Sequence, residues 1–229
     1  MLVVPHQGVL DSRFDGTLNF IFNSDHFCAV EKPAEWLTTP SRSQTDPRPC
    51  LGRELQRQLG VQIYPVHRLD FEVSGLVLFA KFQEAHRRAQ VWFETGVVEK
   101  TYHALSRAGH AEPPWEWDEW HCRLVRGKRR AFEAAHGKEA RTRARVVTVK
   151  DPSEAATFVT WKWELQPLTG RSHQLRYEMA RHGYPILGDT LYGADPRTEP
   201  GIALRAVGLD FTQVPAENRL GLPALLRSE

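Results

Sequence analysis

The sequence predicts an α+β domain built on a mixed, largely antiparallel β-sheet, with helices and loops at its flanks. Three observations lead there. Segments of strand character outnumber helical ones. They follow one another without the regular strand–helix alternation of a doubly wound parallel fold. And no stretch approaches the roughly 18 uninterrupted apolar residues that a membrane-spanning helix needs. At 229 residues, 41% hydrophobic and 25% charged, the chain is long enough to bury a substantial core.

The elements follow in order. Residues 1–17 read as an irregular lead-in, and 18–229 as one domain with no separate N-terminal module. Phe20, Ile21 and Phe22, a polar turn, and then Phe27 to Val30 read as strand, turn, strand. Pro33 and Pro40 bracket a loop, and residues 41–49 are turn-rich. Leu51, Leu55 and Leu59 fall on one helical face. Residues 75–81 form an apolar run fit for a buried strand. Residues 83–95 are charged and helical, with Ala85, Ala89, Trp92 and Phe93 toward the core. Residues 97–105 alternate as a strand does. Pro113, Pro114 and three tryptophans, Trp115, Trp117 and Trp120, mark 109–120 as an irregular excursion. Residues 141–150 and 158–166 alternate polar and apolar side chains, as half-buried strands do. Residues 172–182 predict a helix with Ser172 as its N-cap. A late strand spans 202–211, and the tail from Pro215 reads as loop.

Composition excludes several classes. The N-terminus has neither the basic region nor the apolar core of a secretory signal, so a cytoplasmic location is expected. Three widely spaced cysteines, Cys28, Cys50 and Cys122, form no C-x-x-C, which argues against a disulfide framework or a zinc knuckle. Net charge is only +2, but its distribution is uneven. Residues 121–150 carry ten Lys and Arg, among them Arg129 and Arg130, against Glu133 and Glu139, a surplus of eight with His uncounted. Such a block attracts a polyanion by neutralising phosphates, and it equally suits a solvated face.

The most informative run is HRLDFEVSGLVLFAK at 67–81. Arg68 and Asp70, two apart in an extended segment, point to the same side. A guanidinium there favours the ionised carboxylate, and the apolar strand behind would fix its direction. A second run, EKTYHAL at 99–105, places Tyr102 in a strand, where a phenol offers a flat face to a base. A third, LTGRSHQLR at 168–176, continues into MARHGYPILGD at 179–189 and LYG at 191–193. His173 and His182 lack an acidic co-ligand, so a metal site is not expected.

Together these runs, with DHFCAVEKP at 25–33, resemble the RluA-type pseudouridine synthase family, in the family's order and over most of the chain. The resemblance implies a pseudouridine synthase fold and isomerisation of a uridine in structured RNA, transfer or ribosomal. It implies no cofactor and no metal, RNA as partner, and a protein that works as a monomer. It implies Asp70, Tyr102 and Arg176 as catalytic residues: Asp70 acts on sugar or base, Tyr102 packs on the uracil, and Arg176 pairs with Asp70. It also implies substrate contacts by Arg68, His67, Leu175, Arg171 and His173. Arg129 and Arg130, in the basic block, are further candidates for RNA contact. Attack on the sugar, attack on the base and proton removal from the sugar all stay open as routes for Asp70. The rival reading is a noncatalytic RNA-binding protein on the same fold. The sequence departs from the family pattern at Val73, at Tyr177 and Glu178, and at Arg205.

Overall fold

The computed structural model describes residues 17–43, 45–109, 112–151 and 158–228; the greater part of the expected lead-in thus lies outside the described residues. The strands are β1 (Phe20–Asn23), β2 (Phe27–Lys32), β3 (Tyr64–Pro65), β4 (Ser74–Ala80), β5 (Glu99–Arg107), β6 (Asp118–Arg126), β7 (Ala131–Glu133), β8 (Lys138–Lys150), β9 (Thr160–Pro167), β10 (Leu204–Asp210) and β11 (Leu225–Arg227). The helices are α1 (Leu51–Leu59), α2 (Gln83–Glu94) and α3 (Gln174–Arg181). All strands join one sheet in the order β1-β2-β4-β10-β5-β9-β8-β6-β7, with β3 on β4 and β11 on β10. Every pairing is antiparallel except β4 with β10. The α+β class with a mixed, largely antiparallel sheet is what the alternating segments predict.

Two apolar clusters sandwich the β2–β4–β10 part of the sheet. Cys28, Val30, Val77 and Phe79 face one, with α1, Leu175 and Met179 packed there. Phe27, Ala29, Leu76, Leu78 and Ala80 face the other, under Ala85, Ala89 and Trp92 of α2. The parallel contact at β4 explains the Ser-Gly in the 67–81 run. Gly75 has φ +114°, and a Cβ there would lie 2.2 Å from the Ala206 carbonyl oxygen, so a side chain is excluded.

Three expectations need correction. Ser172 does not cap α3. His173 adopts a left-handed conformation (φ 54°), which sets Ser172 outside the first turn. No side chain caps the helix; Gln174 Oε1 instead ties down the turn before it, accepting from the Arg171 N–H at 3.0 Å and from Thr169 Oγ1 at 2.7 Å. The tail from Pro215 is not only loop. Residues Leu225–Arg227 add strand β11 beside β10. The excursion at 109–120 ends early, because Trp120 belongs to β6 and is buried against Trp163 and His182. The basic block is also less free than its composition suggests. Glu119 pairs with Arg141 and Arg143, and Glu164 pairs with Arg145, both from outside or across the block. All three cysteines are buried and free. Among the described residues no helix is long and apolar enough to cross a membrane.

Candidate active site

Asp70 stands where the chain turns into β4. Its carbonyl accepts the Val73 N–H at 3.2 Å, closing a turn just before the strand begins. The segment is held from three sides. Buried Thr38 donates its hydroxyl to the Leu69 carbonyl (3.0 Å) and accepts the Leu69 N–H (3.2 Å). The Glu35 N–H donates to the Phe71 carbonyl (2.8 Å), and the Ile202 N–H to that of Glu72 (3.1 Å). Fully buried Lys32 donates its Nζ to the carbonyls of Trp36 (2.7 Å), Pro33 (2.8 Å) and Phe71 (3.3 Å). Burial pushes its amine down to about 7, against the opposing pull of Asp70, Glu72 and Glu31. The result is a fixed loop that carries Asp70, one-third exposed, into an open cleft of about 1280 Å³.

The cation beside Asp70 is Arg176 from α3, with Nη1 3.8 Å from Oδ2; His173 Nε2 lies at 3.9 Å. Arg68 lies on the exposed rim of the cleft and forms no ion pair with Asp70, contrary to the two-residue spacing argument. Both residues line the cleft, but Arg68 is exposed while the carboxylate is met from α3. Arg176 itself is 2% exposed. Its Nε and Nη2 donate to Asp189 at 2.7 and 2.8 Å, and Nη1 to Glu72 at 3.1 Å. The Tyr192 ring lies 5.4 Å from the guanidinium, and the Tyr192 hydroxyl is 3.1 Å from His173 Nδ1. The same hydroxyl accepts the Ala131 N–H at 2.8 Å, which ties the site to β7.

Tyr102 projects from β5 toward the cleft between Leu165 and Ala206 in register. Burial, reinforced by the charge of Asp70, raises its hydroxyl pKa above the ordinary value, so it stays protonated and can donate. Leu175 is buried in the same cluster. His67 lines the cleft, yet its ring is committed. Nε2 accepts the Leu78 N–H at 3.1 Å, and the ring stacks on Phe93 with centroids 5.1 Å apart. Desolvation, with a smaller push from Lys100, lowers its pKa to about 3, so the ring is neutral. Arg171 lines the cleft and donates to the Glu139 carbonyl at 2.6 Å.

The basic wall of the cleft comes from Arg126 and Lys138, at the facing ends of β6 and β8. Arg129 and Arg130 lie exposed in the β6–β7 turn, outside the cleft lining. Sequence reasoning gave no role to Asp189, Glu72, Tyr192 or Lys100. Asp189 and Tyr192 fall within the quoted third run, but no spacing rule links a carboxylate to an arginine 13 positions away. Among the described residues no group of three or more His, Cys, Asp or Glu is arranged to hold a metal ion.

The architecture places the molecule among the pseudouridylate synthase folds. The human RNA pseudouridylate synthase domain-containing proteins 1 and 4 superpose with TM-scores of 0.71 and 0.67, at 23% and 20% identity, over 88% and 92% of this chain and 81% and 88% of theirs. The family model for RNA pseudouridylate synthase matches residues 26–181, the span that builds Asp70, Tyr102 and Arg176 into one cleft. The chain therefore belongs to the RNA pseudouridylate synthase family and is an enzyme of its RluA type. It is 33% identical over 183 residues to tRNA pseudouridine synthase C of Vibrio vulnificus (strain CMCP6), covering 77% of this chain and 74% of that one. It is 34% identical over 184 residues to the dual-specificity RNA pseudouridine synthase RluA of the same organism, covering 78% and 70%.

Proposed function

We propose that this protein isomerises a uridine in a folded RNA, foremost a transfer RNA, to pseudouridine, with Asp70 as the catalytic group. The observation that carries the reading is the convergence of Asp70, Tyr102 and Arg176 in one cleft with basic residues on its wall. The target nucleotide flips out of its stack into the cleft at a cost of a few kcal/mol. The bond from N1 to C1′ breaks, the uracil turns in place, and C5 bonds to C1′. A proton leaves C5 and N1 gains one, so nothing is oxidised or added and no cofactor or metal is required. Asp70 serves as nucleophile or base. Arg176 faces it, with Nη1 3.8 Å from Oδ2. Tyr102 offers its ring to the uracil and its hydroxyl as a donor at the base edge.

The test is release of tritium from RNA labelled at uridine C5, without added metal. Wild type should release it and Asp70→Asn should not, while both bind RNA equally. Binding without release by wild type would favour the noncatalytic RNA-binding reading. Equal release by both would remove Asp70 from the mechanism.

A further inference from the structure

Lys100 has no part in the chemistry above. It sits on β5 two residues before Tyr102 and so shares that residue's face. It is half-buried and lines the cleft, whereas Arg68, Arg126 and Lys138 are exposed at its edges. Beside it lie Phe93 and His67, whose stacked rings form an uncharged shelf. Among the described residues the Lys100 side chain has no ion-pair or hydrogen-bond partner, its backbone being paired in the β5–β10 ladder, and Asp70 is engaged instead by Arg176 and His173. Burial lowers its amine below the ordinary lysine value, and no neighbouring carboxylate offsets the effect.

A cation kept inside a cleft without a counter-ion costs stability unless a ligand supplies the charge. Rim cations are open to any polyanion that lies across the surface. Lys100 is reached only by an anion that enters the cleft. A flipped nucleotide carries such an anion with it, because extrusion rotates the backbone linkage next to the target base.

We propose that Lys100 binds the phosphate that enters the cleft with the target uridine, and so acts as a positioning residue that separates an extruded nucleotide from surface-bound RNA. The assignment rests on the reading of the cleft as the isomerising site.

Lys100→Met and Lys100→Arg test it beside wild type, on bulk transfer RNA and on a synthetic stem-loop carrying the mapped target. The stem-loop is made with normal or methylphosphonate linkages flanking that uridine. Lys100→Met should raise KM on the normal stem-loop by roughly 10- to 100-fold, the range for losing a charged hydrogen bond, with kcat changed far less. Its log Kd against log salt should flatten by about 0.7–0.9, one phosphate contact. Its melting temperature should equal or exceed that of wild type, since an uncompensated charge is gone, whereas a structural lysine would lower it. Lys100→Arg should recover most of the affinity. On methylphosphonate RNA, wild type should fall to the level of Lys100→Met. A Lys100→Met penalty that persists on methylphosphonate RNA would overturn the assignment, placing Lys100 on the base or sugar. An active wild type with an unaffected Lys100→Met would overturn it alone. A wild type without turnover on any RNA would overturn the isomerase reading, and this assignment with it.

Discussion

Arg176 gives two of its donors to Asp189, at 2.7 and 2.8 Å, and turns Nη1 toward Glu72 and Asp70. The arginine that faces the proposed catalytic carboxylate is thus held by a different one, itself 1% exposed. Asp189 is therefore expected to act as a positioning residue. Its bidentate grip fixes the guanidinium plane, and that plane sets where Nη1 meets Asp70.

Asp189→Asn should therefore act at two levels. Leaving Arg176 buried without its full counter-charge should cost about 3–5 kcal/mol in urea unfolding. Turnover should fall even at temperatures where the variant stays folded. Arg176→Lys keeps the charge but loses the fork; it should unfold nearer to wild type and still lose turnover. A fully active Arg176→Lys would show that charge alone suffices.

Glu178 provides a pH signature. It is fully buried on α3, accepting hydrogen bonds from Thr142 and from Cys122 (3.6 Å), and burial raises its pKa from 4.5 to about 7. The unfolded chain releases this proton near pH 4.5 while the folded one keeps it to about 7. Stability from this group is present below pH 4.5 and lost as pH rises to about 7, by up to ~3 kcal/mol. His67, lowered to about 3, acts with the opposite sign between there and its ordinary 6.5, so the wild-type profile alone is a mixture. The difference between wild type and Glu178→Gln isolates the contribution of Glu178. Urea midpoints should favour Glu178→Gln more at pH 8 than at pH 5, and a pH-independent difference would refute the assignment.

The position of the basic residues predicts unequal roles in RNA binding. Arg126→Ala with Lys138→Ala removes the cleft wall, and should weaken RNA binding and flatten its salt dependence by about 0.7–0.9 per lost phosphate contact. Arg129→Ala with Arg130→Ala, at the exposed turn, should change both quantities less. Filter binding across a salt series measures this; a larger effect at the turn would mean that RNA follows the hairpin tip rather than the cleft.

The elements that could be read from the sequence were those whose packing is periodic. Leu51, Leu55 and Leu59 make α1 visible, and the unbroken apolar run makes β4 visible. β6 alternates Trp120, Cys122 and Leu124 inward, but Pro113, Pro114 and the crowded cations around it hide the pattern. β11 has three residues and exists because β10 offers an edge, a tertiary cause with no local signal. The left-handed His173 likewise carries no sequence mark, and it defeats the N-cap at Ser172. At the site, Asp70, Tyr102 and Arg176 were legible through the family resemblance and not through spacing. Lys100 falls within the quoted EKTYHAL run, but nothing in that run gives it a role until folding places it inside the cleft.

The strand that follows Asp70 has a further consequence. β4 has no face of its own: Leu76, Leu78 and Ala80 complete one cluster, Val77 and Phe79 the other, and all five are fully buried. Neither side can come apart without stripping this strand of half its neighbours. Its backbone amides should therefore exchange with deuterated solvent only through global opening, while the β6–β7 hairpin exchanges through local fraying. The loop bearing Asp70 should thus be anchored to the last segment of the molecule to melt.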